Sequence, residues 1–196
     1  MSHDRPVERR LQPDLITSVM WQRNGQISLE HFRLFRLPDK FILQGTLLAH
    51  TGTVPQEMHY IVSCGTDWVT QAVHVSILEG SHVRSLQLQR DAAGIWRRDN
   101  EPLPEFEGLV DVDLQITPST NTLPIRRLKL NVGQAADTDA LWVRFPALTL
   151  ERLPQRYTRL AEMQYIYESA GGAFRADLEV DGEGVVVRYA DIWQSV

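Results

Sequence analysis

Two aspartates and two arginines lie close together in the segment 111–128, which reads DVDLQITPSTNTLPIRRL. Asp111 and Asp113 fall in a run of alternating apolar and polar residues, which predicts a strand with both carboxylates on one face, roughly 6.5–7 Å apart. Carboxylates at such a spacing can act as acid and base or can hold a cation. The alternatives are a solvated sheet face, or ion pairs with Arg126 and Arg127. A structural role is favoured over ligand contact, and ligand contact over catalysis.

The two arginines are predicted to begin the strand that follows, because the apolar residues Leu128, Leu130 and Val132 alternate. Segment 111–128 would then be a hairpin, with Arg126 and Arg127 on opposite faces. An inward arginine needs a carboxylate, since a buried unpaired charge is very costly. Asp111 or Asp113 is the predicted partner. The alternative is a ligand phosphate or carboxylate held by a bidentate fork.

Between these charges lies the loop 117–124, in which Pro118 and Pro124 restrict the backbone. Its short polar residues, Asn121 and Thr122 among them, can form hydrogen bonds with their own backbone. The loop is therefore either a rigid, self-satisfied turn or a preorganised hydrogen-bonding edge for a hydroxyl-rich head group.

Other groups that could contact a ligand are scattered. Arg156 and Arg159, with Tyr157, form a second candidate contact for an anion. The five tryptophans are Trp21, Trp68, Trp96, Trp142 and Trp193. Most are predicted to be core residues, although large aromatics in a rolled sheet can line a cavity and stack on sugars or acyl chains.

No familiar catalytic, cofactor or metal motif is present. The six histidines show neither HxH nor HExxH spacing, and there is no Walker loop, GxGxxG or GxSxG. The single cysteine, Cys64, excludes an intrachain disulfide and is predicted to be a buried apolar residue. We therefore predict no catalytic residue, no cofactor and no metal.

Composition indicates one ordinary globular domain. The chain has 196 residues, of which 43% are hydrophobic and 23% charged, and its net charge of −5 argues against binding to nucleic acid. Neither a signal peptide nor a transmembrane segment is predicted, and the expected location is the cytoplasm. Residues 1–14 are predicted to be a flexible lead-in and 15–196 a single domain.

The sequence predicts about a dozen short strands and almost no helix. Asn24-Gly25 is a strong hairpin signal, and Gly45 suggests a bulge or bend within its strand. The segment Tyr157–Glu168 has both helical and strand spacing, and strand is favoured. Such a chain must form a sandwich, a barrel or a rolled antiparallel sheet.

Several motifs, in this order along the chain, resemble the putative glycolipid-binding family, which is bacterial. They are CGTDWVTQAV at 64–73, IWRRDNEPLPEFEG at 95–108, the segment 111–128, QRYTRL at 155–160 and the last hairpin. The resemblance covers roughly Trp21 to Val196. It implies a spiral β-roll, an antiparallel sheet curled into an incomplete barrel, similar to the half-barrels of bacterial lipoprotein carriers. It supplies no catalytic residues.

The resulting prediction is a protein that binds a glycolipid or another amphipathic small molecule, with the apolar chain on the concave face of the sheet. One alternative is an enzyme that acts on a polar small molecule through Asp111 or Asp113 with Arg126 or Arg127, and absence of catalysis is favoured. Another is an interaction module that forms homo-oligomers through sheet edges. The predicted ligand contacts are Asp111, Asp113, Asn121, Thr122, Arg126, Arg127, Trp68, Arg156 and Tyr157.

Overall fold

The protein is a single curled sheet of fifteen strands, seen in a computed structural model that describes residues 13–50 and 54–196. The strands are β1 Asp14–Arg23, β2 Ile27–Arg36, β3 Lys40–His50, β4 Gln56–Gly65, β5 Thr70–Glu79, β6 His82–Arg90, β7 Trp96–Arg98, β8 Glu101–Pro102, β9 Asp111–Leu114, β10 Ala135–Arg144, β11 Thr149–Ala161, β12 Gln164–Ser169, β13 Phe174–Val180, β14 Val186–Tyr189 and β15 Trp193–Ser195. One α-helix, α1, spans Thr122–Leu128, and short 3-10 turns span Pro104–Phe106, Ser119–Asn121 and Ala170–Gly172. The predicted all-β, single-domain roll is confirmed.

The order of strands across the sheet is β8-β7-β6-β5-β4-β3-β2-β1-β15-β14-β13-β12-β11-β10-β9, and it is not closed. All neighbouring pairs are antiparallel except β9 and β10, which are parallel. The predicted turn at Asn24-Gly25 joins β1 to β2, and Gly25 has the positive φ that this turn requires.

The first half of the sheet turns one face inward. On β2 the inward positions are Ser28, Glu30, Phe32 and Leu34, which alternate with more exposed residues. Phe32 and Leu34 pack in a large apolar core with the inward side chains of β3 to β6. Period-2 alternation on each strand therefore produces one continuous buried face.

Strands β9 and β10 lie against this first core. Val112 and Leu114 on β9, with Leu141 and Val143 on β10, belong to that core. The opposite face of these two strands carries Asp111, Asp113 and Trp142, because side chains alternate and the parallel register sets Trp142 beside Asp113. A second, smaller core lies among β11 to β14 and α1.

The residues just before β9 bring the two ends of the sheet together. The backbone N–H of Thr70 donates to the carbonyl of Val110 at 2.9 Å, and the indole N–H of Trp96 donates to the carbonyl of Leu109 at 2.9 Å. The edge strand β8 has only two residues, one of them Pro102, and β7 pairs only with residues 88–90 of β6. Self-association through sheet edges stays a prediction.

The expected strand after the loop 117–124, and with it the hairpin, is wrong. Residues 122–128 form α1, which ends where Lys129 takes a left-handed backbone conformation, with φ of 49°. Pro124 is compatible with this helix because it lies in the first turn, where backbone N–H groups have no intrahelical acceptor. Strand β9 pairs instead with β10, and its parallel direction requires the crossover that contains α1.

The expected bulge at Gly45 is also wrong, since the β2–β3 register continues without a break through Phe32 and Gly45. The ring of Tyr60 lies over Gly45, in the space that a Cβ would occupy. Glycine is therefore required here for the close approach of a neighbouring side chain.

The segment 157–168 is strand, as favoured, but it contains a hairpin in which β11 ends at Ala161 and β12 begins at Gln164. Pro146 lies between two long strands, β10, which ends at Arg144, and β11, which begins at Thr149. Cys64 is fully buried, as predicted.

The predicted flexible lead-in, 1–14, falls almost entirely outside the described residues, and Asp14 already belongs to β1. Residues 51–53 also lie outside them, and β4 begins at Gln56. Among residues 13–50 and 54–196, no helix has the length and apolar character needed to cross a bilayer.

Candidate ligand-binding site

An open cavity of about 340 Å³ lies between β9–β10 and the strands β11 to β15, with Arg23 of β1 at its side. Its lining consists of Arg23, Asp113, Gln115, Thr117, Pro118, Asn121, Trp142, Leu153, Tyr167, Ser169, Ala170, Phe174, Tyr189, Ile192 and Trp193. Five of these residues are aromatic and one carries a carboxylate. The cavity therefore combines apolar ring surfaces with a small number of polar groups, as ligand sites usually do.

Asp113 supplies the carboxylate of this cavity. Its Oδ2 accepts a hydrogen bond from the Gln155 side-chain amide at 2.7 Å and a longer one from the Tyr167 hydroxyl at 3.4 Å. Burial raises the pKa of Asp113 to about 6, and these two hydrogen bonds oppose that rise. Within the described part of the chain, Asp113 forms no ion pair, and its Oδ1 accepts no hydrogen bond.

The aromatic lining includes a cluster of three rings contributed by neighbouring strands. The ring centroids of Tyr167, Phe174 and Tyr189 are 6.0–6.2 Å apart. Trp193 lies at the Arg23 side, where the guanidinium is 5.6 Å from the indole centroid. Burial raises the pKa of Tyr189 and lowers that of Arg23.

Thr117 and Asn121 form a fixed wall of the cavity. The Thr117 hydroxyl donates to Glu30 Oε1 at 2.7 Å and accepts the backbone N–H of Ser119 at 3.0 Å. The Asn121 amide donates to the carbonyl of Pro118 at 3.0 Å, and its oxygen accepts the Tyr157 hydroxyl at 2.8 Å. The segment is therefore held by two hydrogen bonds of its own and by bonds to Glu30 on β2 and Tyr157 on β11.

Behind this wall lies Glu30, a fully buried carboxyl group. The Tyr60 hydroxyl donates to its Oε1, as does Thr117, whereas its Oε2 has no hydrogen-bond partner among the described residues. Burial raises the pKa of Glu30 to about 8, against the opposing effect of the two hydrogen bonds. Tyr60 reaches Glu30 from β4 because Gly45, on the intervening strand β3, leaves room for its ring.

Asp111 is committed to an ion pair. The Arg127 Nε donates to its Oδ1 at 3.0 Å, Arg127 Nη2 donates to its Oδ2, and Thr138 donates to the same oxygen at 3.1 Å. The predicted pairing of an arginine in this segment with Asp111 is confirmed, although Arg127 lies on α1 rather than on a strand. Both charges are satisfied within the protein.

Arg126 and Trp68 meet at a different place. The Arg126 guanidinium is 5.1 Å from the Trp68 ring centroid and 3.8 Å from a Glu183 carboxylate oxygen. Both residues line a second, more open cavity of about 580 Å³. Arg159, also at this cavity, donates to the backbone carbonyls of Leu130, Ala161 and Glu162.

The remaining predicted contacts are at neither cavity. Arg156 is on the outer surface, where it pairs with Asp137 at 2.8 Å. Tyr157 and Thr122 are buried side chains that support the wall. Of the nine predicted residues, Asp113 and Asn121 line the first cavity and Trp68 and Arg126 the second. Asp111 pairs with Arg127, but neither residue lines either cavity, and Asp113 and Arg126 line different ones. The enzyme alternative requires Asp111 or Asp113 to share an accessible cleft with Arg126 or Arg127, and neither of these two cavities brings such a pair together.

Sequence reasoning missed most of the first cavity, including Arg23, Tyr167, Phe174, Tyr189 and the specific roles of Trp142 and Trp193. It also missed Glu30, for which a signal exists: the alternation of Ser28, Glu30, Phe32 and Leu34 places a carboxylate at an inward position. Within the described ranges, no group of three or more His, Cys, Asp or Glu side chains is arranged to hold a metal ion.

Comparison with known proteins gives two findings. The family model described as Putative glycolipid-binding matches residues 18–195. A crystal structure of a DUF1089 family protein from Pseudomonas aeruginosa is similar to this chain with a TM-score of 0.78 and 35% sequence identity, over 89% of this chain and 95% of that one. No curated protein matches the sequence.

Proposed function

Because the chain belongs to the putative glycolipid-binding family, we propose that it binds a glycolipid, with the sugar head group in the cavity beside Asp113. The open groups of that cavity suit a sugar. Aromatic rings stack on the C–H faces of sugars, and carboxylate and amide groups form hydrogen bonds with hydroxyls.

The observation that carries this proposal is the composition of the cavity wall. Trp142 lies next to Asp113 across the β9–β10 pair, so that an indole and a carboxylate are neighbours on one face. Gln115 uses its side-chain oxygen to accept the N–H of Phe145 at 2.8 Å, and its amide N–H groups form no hydrogen bond within the described part of the chain. A donor and an acceptor thus lie beside the Trp142 ring, which also has the Arg144 guanidinium 4.7 Å from its centroid.

The volume of the cavity limits how much of a lipid it can hold. About 340 Å³ is at the small end of ligand sites. The rest of the inner face is filled by the two cores. The head group is therefore assigned to the cavity, and the first part of the apolar chain to apolar lining residues such as Leu153 and Ile192.

The test is calorimetric titration with octyl β-glucoside below its micelle-forming concentration. We expect saturable binding of one molecule per chain. Trp142→Leu should weaken it about fivefold, the effect of one aromatic contact. The matched control is Phe35→Leu, which removes a half-buried ring on β2 outside both cavities.

Absence of saturable binding to the wild-type protein would overturn the proposal. Equal weakening by Trp142→Leu and Phe35→Leu would also count against it, because the effect would then not belong to the cavity.

A further inference from the structure

Among the described residues, no cation forms an ion pair with the carboxylate of the cavity. Asp113 is held by a neutral amide and a neutral hydroxyl through Oδ2, while Oδ1 is left without a protein hydrogen bond in the part of the chain that the structure describes. The neighbouring Asp111 differs, since it has a bidentate guanidinium partner. The two aspartates lie on one face of β9 but differ in their partners. The charge of Asp111 is paired with Arg127, whereas Asp113 forms no ion pair among the described residues.

A neutral sugar hydroxyl would give Oδ1 a hydrogen bond but would leave the negative charge uncompensated. A cation that carries N–H groups would supply the hydrogen bond and also compensate the negative charge. Charged hydrogen bonds are about twice as strong as neutral ones. The charge lies in a partly desolvated site, where attraction between opposite charges is stronger than in water.

The walls also favour a cation. Tyr167, Phe174 and Tyr189 pack against one another and line the cavity. Trp142, beside Asp113, already has a cation near its ring, the Arg144 guanidinium at 4.7 Å from the centroid. Aromatic faces attract ammonium groups through their quadrupole, most strongly where water is excluded. Among the described residues that line the cavity, Arg23 is the only cation, and its guanidinium lies against Trp193.

We propose that the cavity selects a head group bearing an ammonium nitrogen, such as an amino sugar, with Asp113 as its counter-ion and the surrounding rings as its cage. This inference rests on the proposed function and specifies its ligand class. Arg23, at the Trp193 side, would face the part of the head group that is farther from the ammonium.

The test compares octyl β-glucoside with its 2-amino-2-deoxy analogue at pH 7.0 by calorimetric titration. We expect the amino compound to bind about tenfold more tightly, as a partly desolvated ion pair with cation–π support implies. Asp113→Asn should abolish the difference in affinity between the two compounds. The readout is this difference and not the affinity for either compound, because Asp113 is also an acceptor for the neutral glucoside in the proposed function. Asp137→Asn, an exposed aspartate on β10 outside this cavity, is the matched control and should keep the preference.

The pH dependence provides a second readout that does not depend on a variant. Among the described residues, the titratable and charged groups around Asp113 include Asp111 on β9, Tyr157 on β11, Tyr167 on β12, Tyr189 on β14, Arg23 on β1, and Arg144 on β10, which lies over the neighbouring Trp142. The three tyrosines have a raised pKa, so they stay neutral between pH 5 and 7. Protonation of Asp113 at pH 5.0 should therefore reduce the preference, although the amine itself is more fully charged there.

The outcomes separate this inference from the proposed function. If both glycosides bind equally at pH 7.0, or if the preference grows at pH 5.0, the ammonium inference is overturned and glycolipid binding stands. If neither binds, the proposed function fails and the inference fails with it. If Asp113→Asn keeps the preference, another residue is the counter-ion and the assignment to Asp113 is wrong.

Discussion

Replacement of Glu30 by glutamine tests the buried carboxyl behind the cavity. The pKa of Glu30 is about 8 in the folded protein, against an ordinary value of 4.5. Between these two pH values the folded state holds a proton that the unfolded state has released, so the free energy of unfolding falls as pH rises. The slope is about 1.4 kcal/mol per pH unit, and the whole interval amounts to roughly 5 kcal/mol.

Asp113 contributes in the same direction, but over a lower range, because its pKa rises only from 3.8 to about 6. Above pH 6.5 it is mostly ionised in both states, and the remaining slope from the two acids belongs mainly to Glu30. The interval from pH 6.5 to 8 therefore isolates the buried glutamate.

Glu30→Gln keeps the acceptor for Tyr60 and Thr117 but places an amide N–H₂ where Oε2 has no partner. We expect the variant to be about 1–3 kcal/mol less stable than the wild type at pH 5, the cost of unsatisfied buried donors. By pH 8 the difference should vanish or reverse, since the variant has no carboxyl to ionise.

Urea denaturation at half-unit intervals between pH 5 and 8 measures this directly. The control is Glu101→Gln, which removes an exposed carboxylate on β8 and should run parallel to the wild type. Parallel curves for Glu30→Gln and the wild type between pH 6.5 and 8 would refute the reasoning, because Glu30 would then not hold its proton through burial.

Three further predictions concern the packing and chemistry of single residues. Gly45→Ala should lower the free energy of unfolding by about 1–3 kcal/mol, because the new Cβ overlaps the Tyr60 ring. In the background of Tyr60→Leu, the same change should cost less. Additive losses of the two substitutions in urea denaturation would contradict the contact. Arg127→Met should lower the free energy of unfolding by about 3–5 kcal/mol, since it leaves the buried Asp111 carboxylate unpaired. The matched variant Arg126→Met breaks a half-exposed contact with Glu183 and should lower it much less. Equal losses for the two variants would contradict the difference in burial. Cys64 is fully buried, and its pKa is raised to about 12. Iodoacetamide at pH 8 should therefore alkylate it slowly in the folded protein and rapidly in urea, as measured by mass spectrometry. Fast alkylation of the folded protein would contradict this prediction.

Most of the strands could be predicted because their evidence is local. Alternation on β2, β6 and β13 appears within a few consecutive residues, and the Asn24-Gly25 turn carries its own backbone preference. The partner of β9 could not be predicted in this way. Nothing near Asp111 shows that β10 is its partner or that the pair is parallel, because the choice depends on how the whole sheet curls.

The residues of the candidate site likewise fall into two groups, those that local sequence could indicate and those that only the fold brings to the cavity. Asp113 and Asn121 were found because they are concentrated in one short segment. Tyr167, Phe174 and Tyr189 reach the cavity from three successive strands and look like ordinary sheet aromatics in the sequence. The pairing of Arg127 with Asp111 was predicted correctly, although Arg127 was expected on a strand and lies on a helix. The pairing does not depend on the secondary structure, because a buried charge needs a counter-charge in either case.

The strand order also has a consequence for how the chain folds. From β1 to β8 each strand pairs with its neighbour in sequence. This half of the sheet can therefore form by successive pairing of adjacent strands, and each step closes only a short loop. The pairing of β1 with β15, where Trp21 faces Ser195, joins residues at nearly opposite ends of the described chain. Contacts of such large sequence separation form slowly. The β2–β6 meander is therefore expected to acquire protected amides first, and β15 to dock last, which makes the Trp193 side of the cavity the final part of the site to be assembled.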